Sequence, residues 1–154
     1  KTAYEMLRSL VGSEMCIRDS EYLETKGVPV IGYKTSELPA FYSSKSGFNV
    51  DYRVNSAFDI AEIIKTKWGL SIEGGVLVTN PIPKTFELEL AMMNEAINEA
   101  IIEADKEKIK GKEITPYLLS KVNEITQGKS LNANIKLIQN NAALAAKIAI
   151  HYMK

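Results

Sequence analysis

The sequence predicts an α/β fold, on two observations. Short strand patterns lie at residues 28–33, 50–54 and 76–78, the last two separated by an amphipathic helical pattern at 57–68, and longer helical patterns follow from residue 87 onward. The last strand pattern, Val76-Leu77-Val78, is a short continuous apolar run whose β-branched residues suit a strand buried on both faces of a parallel sheet. The chain has 154 residues, 45% of them hydrophobic, which is enough for one core that needs neither disulfides nor metals to fold. Cys16 is the only cysteine and has no intramolecular partner, so a reducing, cytoplasmic setting is expected.

Taken in order, residues 1–20 carry scattered apolar positions without a clear cap. At Glu21 the pattern sharpens: EYLETKG is a short helix closed by Gly27, and the strand at 28–33 follows it. Residues 34–49 are rich in Ser, Gly and polar side chains around Pro39 and read as a loop with room for one helical turn. In that loop Phe41 and Tyr42 either anchor the segment on the core or line a ligand pocket.

Ser56 and Asp59 form an N-terminal capping arrangement, and Ile60, Ile63, Ile64 and Trp68 then recur at helical spacing as a core stripe. Gly74 and Gly75 turn the chain into the strand at 76–78. Pro81 and Pro83 end that strand and stiffen its exit. Ligands gather at the carboxyl ends of strands in open α/β sheets, so Asn80 either faces a site or closes its own turn.

The helix expected at 87–108 turns Leu90, Met93, Ala96, Ile97, Ala100 and Ile101 to one side; Met92 and Met93 read as core filling. After Gly111, Thr115 as N-cap and Pro116 at the first position open a further helix that runs to 127–128. Ser130 starts the last helix. Its alanine-rich second half reads as buried or subunit-facing, and Asn134, Ile138, Asn141 and Ala145 recur on one face, placing two amides among packed residues that must satisfy them.

Several chemistries are excluded. The 19 basic and 19 acidic residues balance and form no basic patch, which speaks against a nucleic-acid polymer as partner. No apolar run reaches the roughly 20 residues needed to cross a bilayer, and residues 1–20 lack the layout of a secretory signal. Gly74 and Gly75 precede a strand and so fail the phosphate-loop templates. His151 has no partner constellation, and no Cys or His cluster has zinc spacing.

The segments EYLETKGVPVIGY, LPAFYSS, GGVLVTNPIP, GKEITPYLLSKVNEITQGKSL and NIKLIQNNAALAAKIA, in this order, resemble the carboxy-terminal part of the pseudouridine-5′-phosphate glycosidase family, from Glu21 to about Tyr152. The resemblance implies the C-terminal portion of an α/β/α sandwich, with residues 21–154 as part of one glycosidase domain and residues 1–20 as a foreign or misassembled segment. It implies reversible cleavage of pseudouridine 5′-phosphate to uracil and ribose 5-phosphate, with manganese as cofactor and a homotrimer as the assembly.

The bond cleaved joins carbon to carbon, so no leaving oxygen awaits protonation and a two-carboxylate scheme does not suffice. The family uses a lysine adduct, with a glutamate for protons and an aspartate at the metal. All three precede the segment matching EYLETKG, the lysine in a Gly-Ala-Lys-Ser motif whose place holds SLVGSEMCIRDS here. Lys34, Lys45 and Lys112 show no burial that would make them substitutes. The expectation is therefore a fragment inactive by itself, with no catalytic residue or metal ligand of its own. The family's SLxxNI segment aligns with residues 130–135 and assigns Asn134 to substrate binding. The alternative is a non-catalytic oligomerisation or interaction module derived from the same fold.

Overall fold

Strand β1 (Val30–Tyr33) lies between β2 (Tyr52–Val54) and β3 (Leu77–Thr79), and both pairings are parallel. Ile31 is in register with Tyr52 on one side and Val78 on the other. The computed structural model describes residues 22–40 and 42–154. The reading of residues 1–20 as foreign, Cys16, and the anchoring role of Phe41 lie outside the described residues.

The turn before β1 forms as expected. Gly27 takes φ +64°, the Gly27 N–H reaches the Glu24 carbonyl at 2.8 Å, and the Val28 N–H reaches that of Leu23 at 2.9 Å. These are the two bonds of a Schellman closure, and they commit residues 28–29 to the turn, so the strand starts two residues later than its apolar run. The described residues of the 34–51 segment contain no helical turn. They fold back through an antiparallel bridge between Glu37 and Asn49, with the Glu37 carboxylate accepting the Ser46 and Gly47 N–H groups.

Helix α1 (Ala57–Gly69) is capped by Ser56, whose hydroxyl accepts the Asp59 N–H at 3.1 Å. Ile60 is fully buried, and Ile63 and Ile64 are half-buried. Trp68 departs from the expected core stripe: it is 49% exposed, donates its Nε1–H to the Gly74 carbonyl at 3.2 Å and meets the Tyr152 ring edge-on at 5.8 Å. The buried residue there is Lys67, whose ammonium caps the carbonyls of Ile72 and Glu73. Strand β3 is also not buried on both faces: it is an edge strand, with Leu77 40% exposed.

Helix α2 (Leu90–Lys106) begins three residues after its predicted start because residues 87–89 remain extended, held to the 42–44 segment by the Leu88 N–H to the Tyr42 carbonyl at 3.0 Å and by the Glu87 carboxylate. Met93, Ala96, Ile97, Ala100 and Ala104 form its buried side, whereas Leu90 is exposed. Helix α3 (Ile114–Ile125) grows directly out of a 3-10 turn at Gly111–Glu113, so Thr115 is not its N-cap. Pro116 still falls in the first turn, where a missing N–H costs nothing. Gly128, at φ +83°, turns the chain into α4 (Lys129–Tyr152).

The core has two centres. One gathers Tyr42, Ile82, the buried sides of α2 and α3, and Ala133. The other packs Ile31, Tyr33, Val54 and Val78 from one sheet face against Ala57, Ile60, Leu144 and Ile148. Helix α4 joins them, and its packed stripe is Ser130, Ala133, Leu137, Asn140, Leu144 and Ile148. This corrects the expected packed face: Ile138 is 59% exposed, and Asn141 and Ala145 are exposed with it. Among the described residues, no helix is long and apolar enough to cross a membrane.

Candidate functional site at the carboxyl ends of the strands

Parallel pairing brings the carboxyl ends of β1, β2 and β3 to one edge of the sheet, where the segments starting at Lys34, Asn55 and Asn80 emerge. Asn80 follows Thr79, which is buried and donates its hydroxyl to the Ile31 carbonyl at 3.2 Å. Two residues on, Ile82 is 2% exposed. Between these anchors Asn80 does not close its own turn. Its Nδ2 donates to Oδ1 of Asn141 on α4 at 3.0 Å, and the adjacent Asn140 donates Nδ2 to the Pro81 carbonyl, also at 3.0 Å.

Asn134 is half-buried one turn beyond Ser130 on α4. Ser130 hydrogen-bonds the Tyr42 hydroxyl, and burial of Tyr42 pushes that hydroxyl above the ordinary tyrosine range despite the bond. Tyr42 thus anchors its loop on the core and on Ser130, one helical turn before Asn134. Asn134 and Asn141 stand seven residues apart on α4, about 10 Å along its axis. Among the described residues, no hydrogen bond engages the Asn134 side chain.

The other candidates are exposed or meet other partners. The His151 ring meets the edge of Phe58 at 5.8 Å. Lys34, Lys45 and Lys112 are exposed, Lys34 lying over the Tyr33 ring. Among the described residues, no group of three or more His, Cys, Asp or Glu could hold a metal ion.

One polar cluster was not foreseen. Oε1 of Glu87 accepts the Ser44 N–H at 2.6 Å, the Ser44 hydroxyl at 2.7 Å and the Ser43 hydroxyl at 3.1 Å. Burial opposes its ionisation, but these bonds and the Lys84 charge outweigh it and hold the carboxyl below the usual glutamate range. Sequence offered one signal only, adjacent serines in a loop.

The family described as indigoidine synthase A like protein matches residues 16–151. The chain belongs to this family. Similar curated proteins are named pseudouridine-5′-phosphate glycosidase: that of Caldanaerobacter subterraneus subsp. tengcongensis is 54% identical over 89% of this chain and 45% of its own length, and that of Petrotoga mobilis is 59% identical over 84% and 42%. These are the proteins whose segments the sequence resembles. The chain spans less than half the length of these relatives. Among solved structures, the prealnumycin C-glycosynthase AlnA in complex with ribulose 5-phosphate matches with a TM-score of 0.77 at 32% identity, covering 86% of this chain and 44% of that one. An indigoidine synthase A-like protein from Thermotoga maritima matches at 0.76 and 33% identity, covering 87% and 44%. The α/β fold is therefore shared, with its small parallel sheet and packed helices.

Proposed function

We propose that this chain supplies the carboxy-terminal scaffold and part of the substrate pocket of a pseudouridine-5′-phosphate glycosidase. The observation that carries the reading is identity of 54–59% to proteins of that name over 84–89% of the chain. The reaction is reversible cleavage of the C–C glycosidic bond to uracil and ribose 5-phosphate in the cytoplasm, through a lysine adduct supplied by the upstream part of the enzyme. The complete enzyme is a manganese-dependent homotrimer on this reading. Asn134 holds the substrate from the first turns of α4, and the isolated chain is inactive.

The test is synthesis in the reverse direction. The purified chain is incubated with uracil, ribose 5-phosphate and manganese, beside the longer open reading frame that contains it. Pseudouridine 5′-phosphate is expected from the longer protein alone. Its formation by the isolated chain would overturn the placing of the nucleophile upstream, and its absence from both would overturn the glycosidase reading.

A second reading, an interaction module without chemistry, is favoured by the apolar exposed side of α4, where Leu131, Ile135 and Ile138 are 51%, 44% and 59% exposed. A folded chain that sediments as a monomer at all concentrations removes that support.

A further inference from the structure

Resting on the assembly part of the reading above, we infer that the outer side of α4 is where copies of this chain meet, helix against helix. Leu131, Ile135, Ile138, Ala142, Ala145 and Ala149 follow one another at alternating spacings of four and three, the 3.5-residue repeat of a seam that packs on another helix. All six are exposed, and together they run about 27 Å along the helix axis. Tyr152 keeps the spacing and meets the half-exposed Trp68 ring edge-on at 5.8 Å, so α1 joins the surface at its far end.

The charge pattern fits an identical helix as the occupant. Helix α4 carries no Asp or Glu, and Lys129, Lys136 and Lys147 all fall at positions of the repeat that neither form nor flank the seam. The flanking positions hold Asn132, Asn134, Gln139 and Asn141. An acidic partner would be met by cations there, and a basic one by carboxylates; neither is present. Amides carry donors and an acceptor alike, so a second copy offers them what they need. The alanines of the second half let two such helices approach closely.

Layer order argues against cover from the same domain. Leu144 and Ile148 seat α4 on the sheet face that carries Ile31 and Val78, and the seam lies on the solvent side of that helix layer. A further element of the same α/β/α domain placed there would make a fourth layer, beyond the two or three that domains use. Additional strands have their place instead at the two open edges of the sheet, where Tyr52 and Leu77 are exposed.

The test starts from the unaltered chain in sedimentation equilibrium across a concentration series, where reversible self-association is expected. Ile138→Asp is expected to weaken it about tenfold or more, through loss of one buried apolar side chain per copy, and Lys147→Glu to change it by about twofold at most. In a Cys16→Ser chain, Ile138→Cys, alone or mixed with Ile135→Cys, is expected to be joined between copies by a short bismaleimide, and Lys147→Cys is not. A monomer at every concentration would overturn the inference without needing any variant to fold. Crosslinking through position 147 as readily as through 138 would overturn it too. If the longer protein makes pseudouridine 5′-phosphate while Ile138→Cys in it stays open to labelling, the seam is lost and the glycosidase reading stands. If that protein assembles through the seam and makes none, the seam stands and the glycosidase reading is lost.

Discussion

The backbone N–H and the hydroxyl of Ser44 converge on the same carboxylate oxygen of Glu87, at 2.6 and 2.7 Å. This joins Ser43 and Ser44 to the approach of α2 through a charge. The pKa of Glu87 is lower folded than unfolded, so its contribution to stability is complete above its unfolded value of about 4.3 and is lost as pH falls through the lower folded value. Glu87→Gln is expected to cost about 1–2 kcal/mol at neutral pH and less in acid. Thermal melts of both proteins from pH 7 to 3 check this: curves that stay parallel throughout would exclude a charged role for Glu87.

Gly32 occupies the middle of β1 with no room for a side chain. A Cβ there would collide with the Thr35 carbonyl oxygen and come within 2.8 Å of Val50 Cγ2. Gly32→Ala is expected to destabilise the chain by about 1–3 kcal/mol or more, because backbone must move to relieve the overlap. A denaturant midpoint within error of the parent would refute this close approach.

Features that depend on near neighbours were legible in the sequence. Ser56 caps a helix three residues ahead, Gly27 ends one just behind it, and the α2 stripe from Met93 to Ala100 repeats within a few turns. Partners far apart in sequence were not. Glu87 meets Ser44 across 43 positions, and Asn80 meets Asn141 across 61. The rotation of α4 was illegible for another reason: its sides through Leu137 and Leu144 and through Ile135 and Ile138 are both apolar, so periodicity selects neither. Asn134 was singled out through the family's SLxxNI segment; its setting beside the Tyr42–Ser130 contact emerged only from the fold.

Thr126 ties α3 to α4. Its hydroxyl donates to the Val122 carbonyl at 2.7 Å and accepts the Ser130 N–H at 3.2 Å, all in a buried setting. Thr126→Val keeps the shape but leaves the Ser130 N–H without that acceptor, so a loss of about 1–3 kcal/mol is expected, with faster amide exchange confined to the start of α4. Unchanged exchange at Ser130 would show that the hydroxyl is dispensable.

The two apolar sides of α4 should respond in opposite ways to substitution. Leu144 is 6% exposed and packs with Ile31, Ala57 and Ile60, so Leu144→Ala should cost about 2–4 kcal/mol. Ile138 is 59% exposed, and its truncation to Ala should cost well under 1 kcal/mol. Leu131, Ile135, Ile138, Ala142, Ala145 and Ala149 follow one another at spacings of four and three along the exposed side, an apolar strip that favours association. Ile135→Lys with Ile138→Glu should therefore raise the soluble concentration of the chain several-fold while leaving its melting transition in place. Sedimentation velocity across a concentration series reads both effects together with the melts. Loss of the fold in the charged variant, with Leu144→Ala tolerated, would mean that α4 is turned the other way about its axis.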